Sequence, residues 1–134
     1  MTATTILKQV SVFVENRPGR LQAMLKALYD RQINIRALSV ADTSDFGIVR
    51  MILSDTEGGL KALREAGLTA STTDVLRVEI SDDPGALLNM AIDPLAEAAL
   101  NVEYVYAFVD RPNEQAAAVI KVNDTERARR VLEA

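Results

Sequence analysis

Apolar and polar residues alternate in two separate runs of this chain. Val10, Val12 and Val14 alternate with Gln9, Ser11, Phe13 and Glu15, and Leu76, Val78 and Ile80 alternate with Arg77, Glu79 and Ser81. A period of two is that of a strand with one face buried. Each run breaks at a Pro-Gly step, "ENRPGRL" from Glu15 to Leu21 and "SDDPGAL" from Ser81 to Leu87. The period then changes. Leu21, Met24, Leu25 and Leu28 recur at the i, i+3, i+4, i+7 spacing of one helix face. Leu87, Met90, Leu95 and Ala99 form the counterpart, with Pro94 inside it, and the missing N–H and ring of that proline predict a bent or restarted helix.

After each helix the alternation returns, in "INIRALSVAD" (33–42) and "LNVEYVYAFVD" (100–110), and a further strand follows in "FGIVRMILSDTE" and "AAAVIKVNDTE". Those strands close on Ser54-Asp55-Thr56-Glu57 and Asn123-Asp124-Thr125-Glu126, an Asp cap with Glu behind it, which predicts helices in "GGLKALREA" and "RARRVLEA". The order is β-α-β-β-α twice. In the first copy "LTASTTD" supplies a fourth strand that runs almost directly into Val75, whereas the second copy stops at Ala134 with no counterpart. The pattern therefore predicts an α+β protein of two ferredoxin-like βαββαβ units in tandem, residues 1–74 and 75–134, the second lacking its last strand. An unpaired sheet edge of that kind is open to a partner chain.

At 134 residues, two such units are each too small to bury a sufficient core alone, so they are expected to share one or to form a homodimer. The composition, 49% hydrophobic and 25% charged, leaves no room for a long disordered tract. A net charge of −4 argues against a surface built to neutralise phosphates, and nucleic acid is excluded as a partner on that ground. No apolar run approaches the length needed to cross a bilayer, and "MTATTILKQ" lacks the basic, apolar build of a signal segment, so no membrane role and a cytoplasmic location are expected.

The ferredoxin-like arrangement hosts many activities, so function has to come from side chains. With no Cys, a metal-chaperone version is excluded, and 4% aromatic content on an acidic chain disfavours RNA recognition. No metal site and no cofactor are expected. An acylphosphatase-like hydrolase has some footing in Arg17, Arg20 and Asn34, although the loop is short and not rich in glycine. With no His or Cys, imidazole and thiolate catalysis have no candidates.

Taken in order and at their spacing, "NRPGRL", "INIRALSVAD" and "FGIVRMILSD" resemble an ACT domain, the small-molecule-binding regulatory module of amino-acid metabolism, and "DDPGAL" with "LNVEYVYAFVD" repeats the resemblance. It covers nearly the whole chain, as a tandem ACT protein without an attached enzyme. The resemblance implies an effector site in the first loop and at the start of the second strand. It departs where the family commonly ends the first helix on Gly, since Gln32 and Ala99 stand there. Either residue costs about 1 kcal/mol in a left-handed cap, which predicts that one or both helices end differently.

The loop chemistry supports a ligand independently of the resemblance. Pro18 fixes φ, Gly19 allows close backbone approach, and the helix that follows with Arg20 and Leu21 offers N–H groups to a carboxylate. Asn16, and Asn34 beside Ile35 on the adjoining strand, could accept from an ammonium. The copies differ in charge: Arg17 and Arg20 favour a carboxylate in the first, while Asp82 and Asp83 beside Gly85, Ala86 and Leu87 either hold an ammonium or cap the helix. Asn101 is the counterpart of Asn34, and both could instead serve local backbone groups. The expected function is a non-catalytic regulator that binds an amino acid at these loops and acts on a metabolic enzyme. An oligomerisation scaffold for a partner enzyme and the hydrolase remain as alternatives.

Overall fold

A computed structural model describes residues 3–42 and 45–134 of the chain. The elements are β1 (Thr4–Glu15), α1 (Arg20–Asp30), β2 (Ile35–Asp42), β3 (Phe46–Leu53), α2 (Thr56–Glu65) and β4 (Thr69–Ser81). A π-helical stretch (Leu88–Ile92), α3 (Asp93–Glu97), β5 (Val102–Arg111), β6 (Gln115–Val122) and α4 (Thr125–Glu133) complete them. The expected α+β class and the doubled β-α-β-β-α order are both present. Pro94 has the predicted effect: the second copy's helix opens into a π turn just before the proline.

The chain forms two compact units, residues 8–73 and residues 74–134 together with residues 1–7. In the unit of residues 8–73, β3 lies between β2 and β1, and the opening residues of β4 flank β1 on its other side. Val10, Val12, Val14, Val49 and Met51 turn inward against Met24, Leu28 and Leu63 of the helices. In the other unit β6 lies between β5 and β4, and Leu76, Val78, Ile80 and Ile120 pack against Ala91, Leu95, Ala128 and Leu132.

Two sequence expectations change here. The second copy does not lack a fourth strand: the opening residues of β1 take that place beside β4, with the Glu79 N–H donating to the Ala3 carbonyl (2.9 Å) and Ile6 packing on the core. β1 begins at Thr4, well before the alternating valines, and residues 3–7 cluster with the second copy instead of the first.

The helix ends also differ from expectation. Gln32 (φ +58°) and Ala99 (φ +59°) both adopt the left-handed conformation that glycine would take more cheaply. Behind each runs the six-to-one hydrogen bond of a Schellman cap, Ile33 N–H to Leu28 C=O (3.0 Å) and Leu100 N–H to Leu95 C=O (2.9 Å). All four of those side chains are buried. Burying a large aliphatic side chain is worth about 1.5–3 kcal/mol, against about 1–2 kcal/mol for the left-handed residue. Packing wins.

The second helices start as written in the sequence. Asp55 accepts from the Gly58 N–H (3.0 Å) and Asp124 from the Arg127 N–H (3.1 Å). An ion pair between Arg31 and Glu65 joins the end of α1 to α2, and its hydrogen bond holds the Glu65 carboxyl below the usual carboxylate range. That contribution is present at neutral pH and fades as pH falls through the lowered pKa.

Two outcomes follow from these contacts. Deleting residues 1–7 should lower the urea midpoint and strip hydrogen-exchange protection from the Glu79 amide, which loses its acceptor; unchanged protection there would contradict the pairing. Gln32→Gly and Ala99→Gly should each raise unfolding free energy by about 0.5–1 kcal/mol, measured by urea titration.

Candidate functional site

β1 and β4 each hand over to a helix through the same backbone joint. In the first copy Asn16 N–H donates to Asp45 C=O (3.0 Å), Arg20 N–H to Arg17 C=O (3.3 Å) and Ala23 N–H to Gly19 C=O (3.0 Å). In the second, Asp82 N–H donates to Glu114 C=O (3.3 Å), Ala86 N–H to Asp83 C=O (3.1 Å) and Asn89 N–H to Gly85 C=O (2.9 Å). Gly19 (φ +87°) and Gly85 (φ +83°) both sit in the left-handed region, so the Pro-Gly step is first of all a conformational requirement. Nothing lies within 4 Å of where a Gly19 Cβ would be, so the torsion, and not crowding, demands glycine there.

The side chains on this shared joint diverge. Glu15 pairs with both loop arginines, to Arg17 Nε at 3.2 Å and Arg20 Nη2 at 3.5 Å, and Arg20 Nε is buried without a hydrogen-bond partner among the described residues. An incoming carboxylate must compete with Glu15 for these cations. The pairs are exposed enough that each is worth about 1 kcal/mol or less, so the competition is feasible. In the second copy the corresponding strand-end residue is Ser81, and Ala86 stands where the first copy has Arg20.

Asp82 does not cap its helix, contrary to one of the two expectations for it. Its Oδ2 accepts from the Asn113 N–H at 2.7 Å, bracing the β5–β6 turn, where Asn113 is itself left-handed (φ +65°). Asp83 is exposed, and its carboxylate makes no hydrogen bond or ion pair among the described residues.

The two loops border cavities of unequal size. Val14, Glu15, Asn16, Arg17, Leu21, Val40 and Val49 line about 130 Å³ in the first copy. Beside the second loop the cavity is about 540 Å³, bordered by Ser81, Asp82, Asp83, Gly85, Ala86 and Leu87 together with Ala107, Phe108 and Val109. Strand register explains the difference. Val12 pairs with Val49 and Val49 with Val40; Val78 pairs with Ala118 and Ala118 with Ala107. Val40 on β2 and Val49 on β3 thus stand where β5 and β6 carry Ala107 and Ala118, while Gly47, which also lines the first cavity, stands where β6 carries Ala116. Sequence reasoning missed Ala107, Phe108 and Val109, though the run Ala116-Ala117-Ala118 opposite Gly47-Ile48-Val49 was the available signal.

Asn34 and Asn101 do not join these loops. Glu15 pairs with Phe46 and Ile35 with Leu53, seven residues apart on β3 and about 23 Å at the usual strand rise. Ser81 and Val102 are separated likewise along β6, between Gln115 and Val122. The helix between the strands returns the chain to the far end of the sheet. There the Asn34 N–H donates to Ser54 Oγ (2.9 Å) and the Asn101 N–H to Asn123 Oδ1 (3.0 Å), stitching each strand start to the next helix. The same separation takes Asn34 away from Arg17 and Arg20, and with it the phosphate cradle of the hydrolase alternative.

A family model for an ACT domain pair matches residues 4–134. No curated protein matches the chain. The crystal structure of a Bacteroides thetaiotaomicron protein aligns with a TM-score of 0.90 and 34% identity, over 97% of this chain and 88% of that one. The ligand-free regulatory subunit of aspartate kinase from Thermus thermophilus aligns at 0.67 and 15% identity, over 99% of this chain and 95% of that one. The corresponding subunit from Thermus flavus aligns at 0.67 and 19%, over 98% and 94%. These two share the fold.

The bracing role of Asp82 can be separated from any ligand role. Asp82→Ala should cost about 1 kcal/mol in urea unfolding through the lost Asn113 bond, whereas Asp83→Ala should stay within about 0.5 kcal/mol of the parent.

Proposed function

The chain belongs to the ACT domain pair family, and from that membership we propose that it is a non-catalytic regulatory protein whose Pro-Gly loops bind an amino acid. The observation that carries this is the cavity of about 540 Å³ against the second loop, within the range of small-molecule sites and lined by apolar residues with Ser81, Asp82 and Asp83 as its polar side chains. The prolines Pro18 and Pro84, which fix φ, and the backbone hydrogen bonds of each joint shape both loops before any ligand arrives, which lowers the entropic cost of binding.

The regulated partner in this reading is a metabolic enzyme in the cytoplasm, as the aspartate kinase subunits with the same fold suggest. Among the described residues no helix is long and apolar enough to cross a membrane. The protein acts as a homodimer. Exposed apolar residues on the outer strands, Leu38 and Val40 on β2 and Val105 and Val109 on β5, support self-association. Binding would regulate by favouring one arrangement of the assembly, to the extent of its differential affinity for the alternatives.

The same exposed strands favour the scaffold reading, in which the loops bind nothing. Thermal unfolding with each of the twenty amino acids separates the two. A ligand at 100 times its dissociation constant adds about 2.7 kcal/mol, several degrees in Tm. No shift with any of them would leave the scaffold.

A further inference from the structure

Resting on the reading that the loops hold an amino acid, we infer that the second copy's cavity is the binding site and that it selects a large apolar side chain, with the ligand's ammonium group on Asp83. The cavity walls are Ile80, Ala86, Leu87 and Leu88 from β4 and the helix, and Ala107, Phe108, Val109 and Ala116 from the two outer strands. A polar ligand side chain placed among them would lose water and gain no partner. An aliphatic or aromatic one gains about fourfold in affinity for each methylene it buries.

Charge fixes the orientation. The polar lining is confined to Ser81, Asp82 and Asp83, and no Lys or Arg borders the cavity among the described residues. Asp82 already accepts the Asn113 N–H through Oδ2, whereas exposed Asp83 has both oxygens open, and the ammonium is assigned to Asp83 on that ground. Two carboxylates at the mouth repel an acidic side chain, so aspartate and glutamate are excluded twice, by charge and by polarity. The ligand's own carboxylate stays at the open side in water.

The first copy cannot do the same. Its cavity is about 130 Å³, narrowed by Val40 and Val49, which leaves no room for a large side chain. One site per chain follows.

Calorimetric titration of the full chain with L-leucine, L-phenylalanine, L-serine and L-aspartate tests this. L-Leucine or L-phenylalanine should bind once per chain and at least tenfold more tightly than L-serine, with no detectable heat from L-aspartate. Ala107→Phe fills the cavity from an exposed strand position and should abolish binding, while Asp83→Asn should weaken the apolar ligands about threefold, both with unchanged circular dichroism. Equal affinity for L-serine or L-aspartate would overturn the inference and leave the amino-acid reading standing. So would binding that survives Ala107→Phe and is lost in Arg20→Ala. Silence from all twenty amino acids would overturn both.

Discussion

A β-α-β-β-α segment has three strands, and the outer side of its first strand must be covered before its core closes. Each copy meets that need with the start of the strand that opens the other copy. The first residues of β4 flank β1, and the first residues of β1 flank β4, so that Ala70 joins one core while Ile6 packs on the other. The inward valines of β1 and the inward Leu76, Val78 and Ile80 of β4 depend on this cover. So does the position of the Pro-Gly joints, which begin where those strands end.

Backbone and side chains then play separate parts at the joints. The left-handed glycines and three matching hydrogen bonds hold one geometry in both copies. Chemistry is set by what surrounds it: Glu15, Arg17, Val40 and Val49 fill and charge one loop, while Ser81, Ala86 and Ala107 leave room beside the other. A duplicated turn has become two unlike surroundings without any change in its torsions.

The periodicities made the order of elements legible, and the Asp-led caps at Asp55 and Asp124 located two helix starts. The fourth strand of the second copy was written too, in the "ATT" of residues 3–5 that leads into the inward residues of β1 as "TASTT" leads into those of β4, but such a polar stretch has no alternation of its own to mark it as paired. Gln32 and Ala99 were misjudged because propensity prices the torsion alone, whereas the burial of Ile33 and Leu100 decides it. Asn34 and Asn101 were misplaced because residues close to a loop in sequence are carried to the far end of the sheet by an intervening helix. Asp82 looked like a cap because its partner, Asn113, lies across the sheet and far along the chain.

The crossed use of β1 and β4 says something about inheritance. In a duplicated chain whose copies each carried four strands of their own, either copy could be lost, shuffled into another gene or kept as a lone module. Here the repeating module starts with a strand that serves its neighbour, so a break between the copies cuts both. Neither copy's own stretch of chain therefore holds all the strand segments of its unit, and the two are interdependent in folding while their loops differ in charge.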